Sequence, residues 1–191
     1  MTATCELDLE ARKRGLRSVF VPTGQTGIAI AGWGISVDAV VSDFLAGAAE
    51  RLVVEGGRRG DLLWVEGQGA ILHPIYSGVT VGLMHGSAPH LYVLCHEVGR
   101  AITEGDPTAS PIVSLTELID LHERMSLKLR PARVARISLN TSPTSEDEAR
   151  AAIAAAEEET GLPADDPVRF GAGKLLEAVL QGADLAAPQR G

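Results

Sequence analysis

Residues 61–74 read DLLWVEGQGAILHP. An apolar run, Leu62-Leu63-Trp64-Val65, stops at an acid, Glu66, and opens into a loop holding Gly67 and Gly69. Four successive apolar residues between turn formers read as a strand covered on both faces, the pattern of a parallel sheet. A carboxylate at the end of such a strand, beside a phosphate site, can hold a magnesium ion directly or through water. The glycines would let the chain pass close to a ligand with no side chain in the way. The plainer reading is a strand-end acid that caps a neighbouring helix or turn.

Other short apolar runs alternate with helical patterns on either side of this stretch. Ser18-Val19-Phe20-Val21 reads as a strand, as do His90 to Cys95, Val134 to Leu139 and a short segment near Val168. A charged first helix spans about Thr2 to Arg14 and is stopped by Gly15; its acids come early and its bases late, as the helix dipole favours. Apolar positions from Val37 to Leu52 recur at helical spacing, with Ser36 as the expected N-cap. Ser114-Leu-Thr-Glu117 and Ser145-Glu-Asp-Glu148 are capping boxes that open two further helices, and a last helix runs from Gly173 to Leu180. Strand and helix in alternation predict an α/β domain with a mainly parallel sheet and helices on both faces. No repeat or long linker divides residues 1–191, so one domain is expected. Ligands in such sheets bind outside the carboxyl ends of the strands. The long segments Thr23 to Gly34, Gly67 to Gly78 and Gly99 to Pro111 are the loops to search.

Bulk properties narrow the function. The 191 residues are 45% hydrophobic with a net charge of −8, which argues against nucleic acid as a partner. No apolar stretch is long enough to span a bilayer, so no membrane partner is expected. Two cysteines, Cys5 and Cys95, make no disulfide framework, and a cytoplasmic location fits best. Cys95, flanked by Val93 and Leu94, reads as a core residue, and His122 as a core histidine. The late acids, including Glu157 to Glu159, read as a solvated helix face.

Several loops carry groups with chemical potential. Thr23-Gly24-Gln25-Thr26-Gly27 offers hydroxyls, an amide and open backbone N–H groups to a phosphate or carboxylate, or is a plain turn. His73-Pro74-Ile75-Tyr76 supplies an imidazole and a phenol just after Glu66. His96 and Glu97 end a strand at the expected ligand edge. Gly171-Ala-Gly173-Lys174 looks like half a phosphate loop, but Leu175 stands where a magnesium-binding hydroxyl belongs, so a helix entry is expected. No G-x-G-x-x-G opens a helix after a strand, which disfavours a dinucleotide site.

The stretches VPTGQTGIAIAGWGISVDAVVSDFLAGAAERLV, VEGQGAILHPIYSGVTVGLMHG, LCHE and ISLNT together resemble one bacterial family. That family was first described as of unknown function, or as NAD-dependent epimerases/dehydratases, and later associated with D-glutamate N-acetylation. The resemblance covers nearly the whole chain and implies its C-terminal domain: a P-loop NTPase-like, three-layer α/β/α fold similar to dethiobiotin synthetase. Family members carry a glycine loop ending in Gly-Lys followed by Met-Thr. Met1-Thr2 matches that point, so the first strand and the phosphate loop are expected to be absent here, as is an N-terminal domain. A frayed start, an exposed groove beside Leu62 to Val65 or Ser18 to Val21, weakened phosphate binding, and a homo-oligomer that fills the slot are then expected.

The resemblance implies acetyl transfer from acetyl-CoA to the amine of an acidic amino acid. Glu66, His73, Tyr76 and His96 would be the catalytic candidates, since acyl transfer to an amine needs a base and donors for an oxyanion. Thr2, Thr23, Gly24, Gln25, Thr26, Gly27, Gly67, Gly69 and Asn140 would line the cofactor site, with Asn140 placed to contact an adenine. Alternatives are an ATP- and magnesium-dependent kinase or ligase, with Glu66 serving the metal, and a non-catalytic remnant or oligomerisation module.

Overall fold

The computed structural model describes residues 1–106 and 108–186. Strands β1 (Ser18–Val21), β2 (Leu62–Val65), β3 (Leu91–Glu97), β4 (Arg133–Asn140) and β5 (Ala164–Asp165) alternate with helices. The helices are α1 (Thr2–Lys13), α2 (Gln25–Ala31), α3 (Ser42–Arg59), α4 (Ser77–Ser87), α5 (Leu115–Met125), α6 (Glu146–Thr160) and α7 (Gly173–Ala186). Every strand pairing is parallel. The pairings form two sheets, β1-β2 and β3-β4-β5, with no ladder between β2 and β3 among the described residues. β2 and β3 therefore each keep one unpaired edge.

Three apolar clusters build the layers. Leu7 and Ala11 of α1 and Leu175, Leu176 and Val179 of α7 pack on Trp64 of β2, with Leu62, Leu91 and Val93 beside them. These two helices thus bridge the sheets from one face. On the opposite face, Ala49 and Leu52 of α3 and Leu83 of α4 cover Val19 and Val21 of β1. Leu115, Leu118 and Ile153 of α5 and α6 cover Leu94 of β3 and Val134, Ile137 and Leu139 of β4. Alternating side-chain direction along each strand supplies both faces.

Polar locks tie α1 down. Ser18 Oγ donates to Asp8 Oδ1 at 2.7 Å, and Trp64 Nε1 donates to Ser18 Oγ at 2.9 Å, all three residues being buried. Arg12 pairs with the other Asp8 oxygen at 2.9 Å. On the far side, α3 and α4 approach so closely that a Cβ on Gly86 would fall 2.1 Å from the Ala46 carbonyl oxygen.

The structure corrects several boundaries. Val37–Ala39 is a separate 3-10 turn and α3 starts at Ser42, with no side-chain cap from Ser36. The fifth strand is Ala164–Asp165, because Val168 N donates to Asp166 Oδ1 in a turn. Gln25–Ala31, expected as loop, is a short helix ended by left-handed Gly32 (φ 73°). Ser145 and Glu148 form a full capping box, whereas at Ser114 only the hydroxyl accepts, from Glu117 N–H. Cys95 is exposed rather than in the core. No helix is long and apolar enough to cross a membrane among the described residues.

Candidate functional site

Glu66 directly follows β2, and its carboxylate is buried. Oε2 accepts from Thr23 N–H at 2.9 Å and Gly24 N–H at 3.1 Å. The Glu66 carbonyl accepts from Thr23 Oγ1 at 2.9 Å. The loops leaving β1 and β2 are thereby clasped at the carboxyl edge. This answers the question posed by the acid at the strand's end: it satisfies two buried backbone donors that no ladder could reach. Thr23 and Gly24 N–H groups are consequently occupied, not open to a phosphate. Only Oε1 is left for a ligand, and it lies 3.9 Å from the Met1 amino group.

Gly27 owes its place to this carboxylate. A Cβ there would stand 2.5 Å from Glu66 Oε2 and 3.1 Å from the Phe20 ring. Gly24 lies under the Gln68 side chain, a residue the sequence did not single out. Gln25 and Thr26 sit exposed on the first turn of α2, and Thr2 exposed on the first turn of α1.

These donors are a poor match for magnesium. One carboxylate oxygen is the whole contribution of Glu66, and no group of three His, Cys, Asp or Glu side chains converges among the described residues. Magnesium keeps several waters and leans on substrate phosphates, but still needs one or two carboxylates held open to it. These residues do not fit a dedicated metal site.

The loop after Glu66 is pinned. Thr80 Oγ1 donates to the Gln68 carbonyl at 2.9 Å. Gly69 is left-handed (φ 66°) with the Tyr76 carbonyl 2.8 Å from where a Cβ would stand. Gly67 has open space around it. His73 is buried, and its Nδ1 accepts from Ile75 N–H at 3.1 Å and Tyr76 N–H at 3.3 Å. The Tyr76 ring lies over the imidazole with centroids 4.5 Å apart.

His96 ends β3 in a different group, with its side chain on the α5–α6 side. A cavity of about 300 Å³ there is lined by His96, Arg100, Ser114, Leu139, Ala156 and Glu159 among others. Burial pushes the His96 pKa below the usual 6.5, aided by Arg100 and opposed by Glu159 and Glu97. Glu159 is exposed, as expected of the late acids, and also borders this cavity, where it accepts from Thr116 N–H at 3.1 Å. Glu157 is half-buried, and its pKa is lowered first by the Lys174 ammonium, 2.9 Å away. That contact also places Lys174 in a structural pair at the α7 entry, as expected.

Asn140 donates to Glu97 Oε2 at 3.1 Å and accepts from Ser142 N–H at 3.1 Å, so it braces the ends of β3 and β4. Asp166 mirrors Glu66 across the fold. It accepts from Thr141 N–H at 2.9 Å and Thr141 Oγ1 at 2.6 Å. The remaining histidines are engaged elsewhere: His85 with the Met125 carbonyl, His122 with the Leu118 carbonyl and His90 with Arg130. The structure thus joins Glu66 with Thr23, Gly24 and Gly27, joins His73 with Tyr76, and sets His96 and Asn140 around Glu97. Periodicity gave no signal for Gln68, Thr80 or Glu159.

A family model described as "Domain of unknown function (DUF1611_C) P-loop domain" matches residues 1–176. The chain belongs to this family. A crystal structure of a DUF1611 family protein from Anabaena variabilis ATCC 29413 matches with a TM-score of 0.89 and 43% identity, over 94% of this chain and 53% of that one. A relative from Tritonibacter scottomollicae named D-glutamate N-acetyltransferase is 41% identical over 182 residues, 94% of this chain and 54% of its own length. Another of that name, from Pseudoalteromonas sp., is 33% identical over 180 residues, 92% of this chain and 53% of its own. The chain therefore spans about half the length of these relatives. Membership fixes the fold as a P-loop-type α/β domain.

Proposed function

We propose that the protein takes part in N-acetylation of an acidic D-amino acid, D-glutamate, with acetyl-CoA as the acyl donor. The observation that carries this reading is the naming of the two relatives, which align with more than nine-tenths of this chain. The chemistry asks for four things. The ammonium must lose a proton, the freed amine must attack the thioester carbonyl to form the N–C bond, the resulting oxyanion must be stabilised, and its collapse must break the C–S bond, the CoA sulfur leaving as thiol with the second proton given up by the nitrogen. His96 suits the first task, because its lowered pKa leaves the ring unprotonated at neutral pH. Glu66 Oε1, at the β2 edge and apart from the His96 cavity, would instead accept from an N–H or O–H group of the bound acyl donor. Gly67, Gly69 and Asn140 would border the bound donor.

Acetyl-CoA bears phosphates and an adenine, so a P-loop-type domain suits it as it suits ATP. The two are separated by calorimetry with acetyl-CoA and with magnesium ATP. The reaction itself is tested by mixing protein, acetyl-CoA and D- or L-glutamate and following free thiol. Thiol release with D-glutamate is expected; none with either enantiomer overturns the reading. Free Cys5 and Cys95 support a reducing, cytoplasmic setting. The unpaired edges of β2 and β3 support a homo-oligomer, which light scattering tests.

A further inference from the structure

We infer that His73 acts as a hydrogen-bond donor, through Nε2–H, to an oxygen of the bound substrate, and not as the base of the reaction. Tautomer logic leads there. Nδ1 accepts from two backbone groups, Ile75 N–H and Tyr76 N–H, so its lone pair is turned inward and carries no proton. The ring proton must then reside on Nε2, which becomes a donor only. That donor is buried and has no hydrogen-bond partner among the described residues. Such orphaned donors are rare in proteins, and each needs a reason.

The surroundings indicate what is missing. The ring cannot rotate to rescue itself, since flipping would break both Nδ1 contacts. Its loop is pinned at Gln68 by Thr80 and at Gly69 by the left-handed turn against Tyr76. The Tyr76 ring, half exposed and outside every core cluster, lies over the imidazole. A fixed donor beneath a half-exposed aromatic ring, in the loop next to Glu66, suits an acceptor that arrives with a ligand. Carboxylate oxygens of an acidic amino acid and the thioester carbonyl of an acyl donor share this chemistry. On a carbonyl, the bond would strengthen as negative charge develops on the oxygen.

The link to substrate rests on the acyl-transfer reading; the donor assignment does not. Nitrogen-15 NMR of the imidazoles tests the assignment directly, and a proton found on Nδ1 of His73 overturns it whether or not the protein is active. Adding D-glutamate, then acetyl-CoA, then both should shift the Nε2–H signal downfield, and the addition that shifts it names the source of the oxygen. If the wild-type protein transfers acetyl groups yet the signal ignores every addition, the substrate contact is overturned. Kinetics give a second readout. His73→Gln keeps a donor near the Nε2 position but no base, and is expected to stay within about tenfold of wild type. His73→Phe keeps neither and should lose about 10²–10³ in kcat, the cost of removing one oxyanion donor. Equal loss in both folded variants would return His73 to the role of base.

Discussion

Thr23 and Glu66 are joined twice. The Thr23 amide donates to the Glu66 carboxylate and its hydroxyl to the Glu66 carbonyl, both at 2.9 Å, across 43 residues of chain. The carboxylate is therefore part of the frame before it is part of any chemistry. Glu66→Gln retains an acceptor for the two N–H groups and is expected to melt within a few degrees of wild type. Glu66→Ala leaves two buried donors unmet and is expected to lose about 2–4 kcal/mol. At about 2–4 °C per kcal/mol, calorimetry will register that as a drop of roughly 5–15 °C. Acetyl transfer should fall in both variants; a fully active Glu66→Gln would leave Glu66 with the structural task alone.

Gly27 and Gly24 should respond differently to alanine. At Gly27 the new methyl meets a carboxylate fixed by two backbone bonds, at 2.5 Å. A cost of about 1–3 kcal/mol is expected, as for overpacking in a core. At Gly24 the obstacle is the end of the Gln68 side chain, which can move. Its loss should stay below about 1 kcal/mol. Urea midpoints of the two variants settle the order, and a Gly24 variant weaker than the Gly27 variant would contradict the clasp.

Ser18→Ala should be costly for so small a change. It leaves Asp8 Oδ1 without its donor and Trp64 Nε1 without its acceptor, both buried. Each stranded group costs about 1–3 kcal/mol, so chemical denaturation should show a loss of about 2–6 kcal/mol. Because Asp8 anchors α1 and Trp64 belongs to β2, the loss should appear as earlier hydrogen exchange in α1.

Stability should fall on mild acidification. Burial lowers the pKa of His96 and, with Arg130 alongside, of His90. Between each lowered value and the unfolded value near 6.5, the unfolded chain holds more protons than the folded one. Stability therefore rises with pH through that window and is reduced below it. Moving from about pH 7.5 to about pH 5 should lower the urea midpoint, and His96→Gln should shrink the difference. The carboxylates of Glu157 and Asp166, both lowered, act further down. Their contribution is present above the unfolded values and is lost only as pH falls through the lowered ones.

The sequence by itself determined the class of fold, the parallel strands and the acid at the end of β2, because these are written in local order. Apolar runs of four to eight residues, helical spacing and caps such as Ser145 with Glu148 depend on neighbours a few positions away. The same locality explains the misplaced fifth strand and the unexpected α2, where short segments took their state from tertiary contacts. Only the tertiary structure decided what Glu66 bonds to, why Gly27 must be glycine, and that His96 faces Glu159 across a cavity instead of joining Glu66. It also decided that β2 and β3 each leave an edge unpaired among the described residues, and that two backbone N–H groups point at His73 Nδ1. Each of those facts depends on the relative placement of backbone N–H groups and side chains. For Glu66 and His96 that placement joins residues tens of positions apart, and even for His73 it depends on how the loop closes on itself. Hydrogen-bond distance and direction are properties of that placement, and no periodicity in the chain encodes them.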